Sequence, residues 1–319
     1  MGKKSILLIQ NTTEEQIATI QKIAPDYEIL KGWEDNGQKS FDDVEILYGW
    51  NFNIGPQILN HPSSKLKWIQ SHTAGIDYMD LASLKDKGIS LTTSSGIHAL
   101  SIAESVFGML LSYVRGIGNS IKNQGKKEWA SPKQIMELNQ STIMIVGTGN
   151  IGVQVGRLAK AFGMETIGVN RSGNSVEYMD TVIKQTQLMD YINQADFVVN
   201  IMPLTDLTRY YFNKDVFSKM KEGSAFINVG RGQTVQVDDL MDALDHGILA
   251  FAGLDVFEKE PLPKDSPLWE REDVLITPHI SGLIKHFKSR LFVIFEENLR
   301  AYIEEKELPR NKVDYNRSY

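Results

Sequence analysis

Three residues in the last third of the chain have the types needed to hold an anion and move a proton. They are Arg231 in Gly230-Arg231-Gly232, Glu260 in Glu258-Lys259-Glu260-Pro261, and His279 in Thr277-Pro278-His279-Ile280. Histidine is the side chain most easily tuned to exchange a proton near neutral pH. A neighbouring carboxylate favours its charged, donating form. The forked donors of an Arg hold a carbonyl and a carboxylate at once. With a nicotinamide beside them supplying hydride, such a set would turn a 2-keto acid into a 2-hydroxy acid. Taken singly, each has a plainer reading: an Arg in a glycine turn is usually solvated, and a lone His is more often surface or core. Their placement after successive strands joins them.

The strongest local signal is Ile143-Met144-Ile145-Val146-Gly147-Thr148-Gly149-Asn150-Ile151-Gly152, which follows an apolar run and opens an amphipathic helical pattern. That context separates a dinucleotide-binding turn from a chance cluster of glycines. Gly147 permits the tight turn, Gly149 lets backbone approach a pyrophosphate, and Gly152 lets the helix lie close to the strand. The next strand ends in Asn170-Arg171-Ser172, where an NAD site would carry Asp or Glu. Asn170 removes the repulsion a 2′-phosphate would meet, and Arg171 and Ser172 add a cationic donor and a hydroxyl. NADP(H) is the expected cofactor, with NAD(H) possible; no metal site is expected.

These residues need strands to present them. Short apolar runs predict strands over Ser5–Ile9, Glu28–Leu30, Val44–Tyr48, Leu66–Gln70 and Ile89–Thr92. A second series covers Thr142–Val146, Thr166–Asn170, Phe197–Ile201, Ala225–Val229, Leu249–Asp255 and Val274–Thr277. Helical patterns alternate with them, which argues for parallel α/β sheets. Thr13 and Gln16 have capping-box spacing, as do Ser101 and Glu104 at the start of a long helix connecting two domains. Asn119–Gln140 reads as polar and irregular, and Ile284–Glu304 as a long helix. In parallel α/β sheets ligands bind outside the carboxyl ends of the strands, and the glycine turn, Arg171, Met202-Pro203, Arg231, Asp255 and His279 all fall there.

At 319 residues, 42% hydrophobic and 23% charged, the chain suits about two globular domains. It has no Cys, which excludes disulfide frameworks, Cys-held metals and a cysteine nucleophile. A net charge of −6 with scattered Lys and Arg argues against nucleic acid as a partner. The apolar run after Met1–Ser5 is too short for a signal peptide, and Val106–Val114 is too short for a bilayer span of ~20 residues. A cytoplasmic protein with no membrane partner is expected.

Over nearly its whole length the chain resembles the D-isomer-specific 2-hydroxyacid dehydrogenases, the group of phosphoglycerate, glyoxylate/hydroxypyruvate and formate dehydrogenases. The resemblance is carried by Ala74-Gly75-Ile76-Asp77, Ala103-Glu104, the glycine turn, Pro203-Leu204-Thr205, Asn228 to Gly232, Leu254 to Phe257, and Thr277 to Ile280. It implies a Rossmann dinucleotide-binding domain, 101–284, inserted in a flavodoxin-like substrate domain, 1–100 with 285–319. It implies that Arg231 orients substrate, that His279 donates the proton in reduction, and that Glu260 tunes His279. It places Asp255 at the nicotinamide carboxamide, Val229 and Arg231 along the nicotinamide, and the backbone of Asn150 and Ile151 at the pyrophosphate. Pro203 and Thr208 would lie near the adenosine half, and the Ala74-Gly75 backbone would hold the substrate carboxylate. A homodimer using the Ser101–Gln140 region is implied too, with Trp129 as anchor or else core. Trp50 and Asn51 are candidates for the substrate's side-chain pocket, with Ser71–Thr73, and His98 reads as structural. The rival readings are a nucleotide-sensing corepressor without turnover and an enzyme that oxidises a small anion such as formate or phosphite.

Overall fold

The computed structural model describes residues 4–32, 41–76, 78–131 and 135–315. Its first elements are β1 (Lys4–Leu8), α1 (Glu14–Ile23), β2 (Tyr27–Lys31), β3 (Val44–Tyr48), α2 (Ile54–Asn60), β4 (Trp68–Gln70), α3 (Leu81–Asp86) and β5 (Ser90–Thr92). The strands form one parallel sheet in the order β2-β1-β3-β4-β5, the flavodoxin-like order. Every residue of β3 is buried, as expected of a central strand covered on both faces. Thr13 caps α1 in the predicted capping box with Gln16.

This unit, Met1–Ile97, is completed by Lys285–Tyr319. The C-terminal helix Phe287–Ile303 lays Phe295 on Tyr48, ring centroids 4.2 Å apart, and on Trp68, at 5.3 Å. Phe295 is fully buried, worth about 2–3 kcal/mol relative to exposure. Glu45, buried on β3, accepts hydrogen bonds from Tyr27 (2.6 Å) and from Tyr302 of that helix (2.9 Å), and Lys4 and Lys67 lie 3.4 and 3.6 Å away.

The second unit is His98–Ile284. It opens with α4 (Ala99–Val114) and α5 (Ile117–Lys126), followed by β6 (Thr142–Val146), α6 (Asn150–Ala161), β7 (Glu165–Asn170), β8 (Thr181–Lys184), α7 (Leu188–Tyr191) and β9 (Phe197–Asn200). Then come α8 (Lys214–Phe217), β10 (Ser224–Asn228), α9 (Val237–Asp245), β11 (Leu249–Leu254) and β12 (Val274–Ile276). All seven strands are parallel, in the order β12-β11-β10-β9-β6-β7-β8, the Rossmann order with one further strand. Alternate residues divide between the faces: Met144, Val146 and Val198 join one buried cluster, Ile143, Ile145 and Val199 the other.

Three local expectations are corrected. The long helix starts at Ala99, so Ser101 is inside it; the Ser101 hydroxyl donates to the His98 carbonyl (3.0 Å) and makes no capping box. Part of the stretch read as irregular is α5, entered through Gly116 at φ +65°. Its residues escaped notice because none is buried and its composition is polar. Edge strand β8 was also unforeseen, since three residues of Thr181-Val182-Ile183-Lys184 remain at least partly exposed. Among the described residues no single helix is long and apolar enough to cross a membrane.

Candidate active site

The chain order of the second sheet reverses between β6 and β9, the position where open α/β sheets bind ligands. Gly147 leaves β6 at φ +108°, and a Cβ there would lie 3.1 Å from the Ile201 carbonyl carbon beyond β9. A Cβ on Gly152 would stand 2.3 Å from the Gly147 oxygen, so only Gly lets α6 start against this turn. A Cβ on Gly149 would meet nothing within 4 Å, and Gly149 and Asn150 are exposed. The turn thus offers open space over the first backbone N–H groups of a twelve-residue helix, which suits the pyrophosphate of a dinucleotide.

Asn170, the last residue of β7, is half-buried, and beyond it Arg171 and Ser172 are exposed. Beyond β9, the Thr208 hydroxyl donates to the Pro203 carbonyl (2.7 Å) and accepts from Thr205 N–H (2.8 Å), so Thr208 shapes the turn that leaves Pro203 exposed. Val229 is buried after β10, and its N–H bonds the Asn200 carbonyl (3.1 Å).

Arg231 follows, half-buried, with its guanidinium bonded to the Gly230 carbonyl (2.8 Å) and its own carbonyl accepting from Thr234 Oγ1 (2.6 Å). A Cβ on the next residue, Gly232, would fall 1.9 Å from the Phe257 carbonyl carbon. The Arg231 turn is therefore pressed directly on the backbone leading to Glu260.

Glu260 makes two bonds. Oε1 accepts from Phe257 N–H (2.9 Å), which orients the carboxylate, and Oε2 lies 2.7 Å from His279 Nδ1. A carboxylate only accepts, so Nδ1 carries the hydrogen and Nε2 is left to exchange a proton. His279 stands at φ +53°, a left-handed conformation uncommon outside Gly. It is held there by its own N–H, bonded to the Asp255 carbonyl (2.8 Å), and by the Asp255 side chain. That carboxylate is fully buried and accepts from Thr277 Oγ1 (2.6 Å), Ile280 N–H (2.9 Å) and Ser281 N–H (3.1 Å). In the structure the Asp255 carboxylate locks the His279 loop. His98 reaches the same loop, its Nδ1 donating to the Gly282 carbonyl (2.6 Å) rather than capping a helix end.

In the first unit, Ala74 is exposed and Gly75 half-buried in the loop after β4; Asp77 lies outside the described residues. A cluster of hydroxyls unforeseen from sequence organises this loop. Thr73 Oγ1 donates to the Gly75 carbonyl (2.7 Å), Tyr78 OH lies 2.7 Å from Thr73 Oγ1, and Ser71 Oγ lies within 3.1 Å of both. Burial holds the His72 imidazole below its ordinary range, and its Nδ1 accepts from Trp50 N–H (3.3 Å). Trp50 is core, packed across Gly55, and does not offer its ring to a substrate. Asn51 accepts the N–H groups of Asn53 and Ile54 at the start of α2. The exposed ring is Phe52, 67% accessible and 5.1 Å from the Tyr78 ring. Trp129 is fully exposed, so it is not core.

Comparison with known proteins adds independent findings. Residues 107–281 match the family model described as "D-isomer specific 2-hydroxyacid dehydrogenase, NAD binding domain". The chain is 32% identical to a human glyoxylate reductase/hydroxypyruvate reductase over 261 residues, 80% of each protein. A solved D-isomer specific 2-hydroxyacid dehydrogenase family protein from Aeromonas salmonicida is 32% identical, with a TM-score of 0.85 over 98% of this chain and 100% of that one. An NADPH-dependent glyoxylate/hydroxypyruvate reductase from Sinorhizobium meliloti, solved with NADP and sulfate, is 26% identical, with a TM-score of 0.81 over 99% and 100%.

Proposed function

The chain belongs to the D-isomer-specific 2-hydroxyacid dehydrogenase family and is an oxidoreductase that binds a nicotinamide dinucleotide; from that premise we propose that it reduces a small 2-keto acid to the D-2-hydroxy acid with NADPH. The observation that carries the reading is the 2.7 Å bond between Glu260 and His279 at the carboxyl edge of the dinucleotide-binding sheet. A bound reduced nicotinamide supplies the hydride. His279 Nε2 gives the proton to the carbonyl oxygen, and Glu260 stabilises the imidazolium before the transfer and keeps its ring oriented. Arg231 aligns the keto oxygen and carboxylate, and the Ala74-Gly75 backbone binds the carboxylate from the first unit. Asp255 acts on the reaction by holding the His279 loop.

Gly147, Gly149, Asn150, Ile151 and Gly152 hold the pyrophosphate, with Pro203, Thr208 and Val229 shaping the rest of the dinucleotide site. NADPH is preferred because β7 ends without a carboxylate and Arg171 and Ser172 are exposed beside it. The NADPH-dependent Sinorhizobium meliloti relative supports this choice. Phe52 forms the apolar wall of the substrate's side-chain pocket. The protein works as a homodimer through α5 and its flanks, where Ile117, Ile121 and Trp129 are 47%, 64% and 105% exposed.

The test is a spectrophotometric assay of NADPH and NADH oxidation against glyoxylate, hydroxypyruvate, pyruvate, phenylpyruvate and branched 2-keto acids. Turnover with at least one acid and a preference for NADPH is expected. Tight NADPH binding without turnover would overturn the reading in favour of a nucleotide sensor.

A further inference from the structure

Asn170 stands where a dinucleotide-binding sheet usually carries the acidic residue that bonds the ribose. Its amide is already fully used. Nδ2 donates to Thr148 Oγ1 (3.0 Å) and to the Asn174 carbonyl (3.1 Å), while Oδ1 accepts from Gly173 N–H (2.6 Å) and Ser172 Oγ (3.2 Å). Two donated and two accepted hydrogen bonds are the complete inventory of a primary amide.

The partners fall in two separate turns. Thr148 is the middle residue of Gly147-Thr148-Gly149. Ser172, Gly173 and Asn174 make the turn that carries Arg171. That second turn has support of its own: Ser172 Oγ accepts from Asn174 N–H (3.3 Å), and Gly173 sits at φ +73° with Lys184 Cγ 2.9 Å from where a Cβ would stand.

We propose that Asn170 is a positioning residue that clamps the glycine turn to the Arg171 turn and contacts neither ribose nor phosphate. Both turns belong to the dinucleotide site of the reading above, on which this inference rests. Because the clamp sets the spacing of the two turns, it governs the binding of NADPH and NADH alike. Arg171 and Ser172, not Asn170, discriminate between them. An Asp at this position keeps the two acceptors and can take the Thr148 hydroxyl as a donor, but it loses the bond to the Asn174 carbonyl and sets a negative charge against it. Asn170→Asp therefore does not convert the site to NADH, although an acidic residue there is the usual mark of an NAD site.

The experiment measures Kd for NADPH and NADH with the full chain, from the change in nicotinamide fluorescence on binding. The variants are Asn170→Ala, Asn170→Asp, Thr148→Val and Arg171→Ala, each with a melting curve. Asn170→Ala, which loses all four bonds, is expected to raise both Kd values about tenfold, and Asn170→Asp, which loses the Asn174 bond and sets a charge against that carbonyl, about threefold, with the NADPH/NADH ratio within about threefold of wild type in each. Thr148→Val, which spares the Arg171 turn, is expected to raise both about threefold. Arg171→Ala raises the NADPH value alone. Asn170→Asp binding NADH more tightly than wild type would overturn the proposal, as would Asn170→Ala leaving both values unchanged. If the Asn170 variants do not fold, Thr148→Val decides: unchanged affinity for both dinucleotides overturns it. A wild type with equal affinity for both would sink the NADPH preference alone, because the clamp predicts a shared shift in either case.

Discussion

Replacing Glu260 by Gln separates the proton donor from its partner with little change of shape. In the wild type the carboxylate takes the Phe257 N–H on one oxygen and the His279 Nδ1–H on the other, at 2.9 and 2.7 Å. An amide cannot accept on both sides. With its oxygen toward Phe257, its NH2 faces Nδ1, which must then give up its hydrogen, and the imidazolium loses its counter-charge. Hydrogen bonds to charged groups contribute about 1.5–3 kcal/mol. The His279 and Glu260 side chains are 51% and 35% exposed, so solvent screening puts the loss near the lower end, about 1.5 kcal/mol. That corresponds to about a tenfold fall in kcat for reduction. His279→Ala, which removes the donor itself, should cost about 10²–10⁴. The assay is steady-state NADPH oxidation with the best 2-keto acid, alongside NADPH affinity by fluorescence, which should not move. An unchanged kcat would refute the role given to Glu260. A loss as large as that of His279→Ala, in a protein that still melts normally, would refute the idea that Glu260 works only through His279.

Other outcomes follow from the same structure. Gly232→Ala places a methyl group 1.9 Å from the Phe257 carbonyl carbon, so the Arg231 turn must separate from the Glu260 loop. A loss of about 3 kcal/mol in denaturant unfolding is expected together with loss of turnover, and a stable, active variant would contradict the packing described. Glu45 gives a pH dependence. Burial would lift its carboxyl, but hydrogen bonds from Tyr27 and Tyr302 and the charges of Lys67 and Lys4 outweigh it and hold it below the ordinary range. A group depressed on folding stabilises above its unfolded value and loses that contribution as pH falls through its folded one. The melting-temperature gap between wild type and Glu45→Gln should therefore be open at pH 6 and close in strong acid; a gap independent of pH would disprove it. Ile121→Glu with Trp129→Ala should yield monomers in light scattering, and an unaltered dimer would move the interface elsewhere.

Much of the fold was legible because its signals are local. Among the described residues, apolar runs marked eleven of the twelve strands within a residue or two, and glycine spacing between an apolar strand and an amphipathic helix marked the dinucleotide turn. The misses have local causes as well. The half-polar β8 has no alternation to announce it. Helix α5 buries none of its residues. The hydroxyl cluster of Ser71, Thr73 and Tyr78 has no sequence mark, since Ser, Thr and Tyr are common anywhere and only the bend of the loop makes their oxygens meet.

The chain by itself determined its class of architecture, its dinucleotide turn and the types of residue available for proton transfer, because period, glycine spacing and side-chain chemistry are properties of neighbouring residues. Tertiary structure decided which of those residues work together. Glu260 and His279 are nineteen positions apart and meet because β11 and β12 are adjacent and parallel, so their loops leave the sheet at the same edge. Asn170 reaches Thr148 for the same reason, across β7 and β6. Trp50 lost a role because the fold packs its ring against Gly55, and Asp255 acquired one because the 277–281 loop folds over a carboxylate with no solvent left to satisfy it. Such partnerships depend on strand order and burial, and those are set by the whole chain at once.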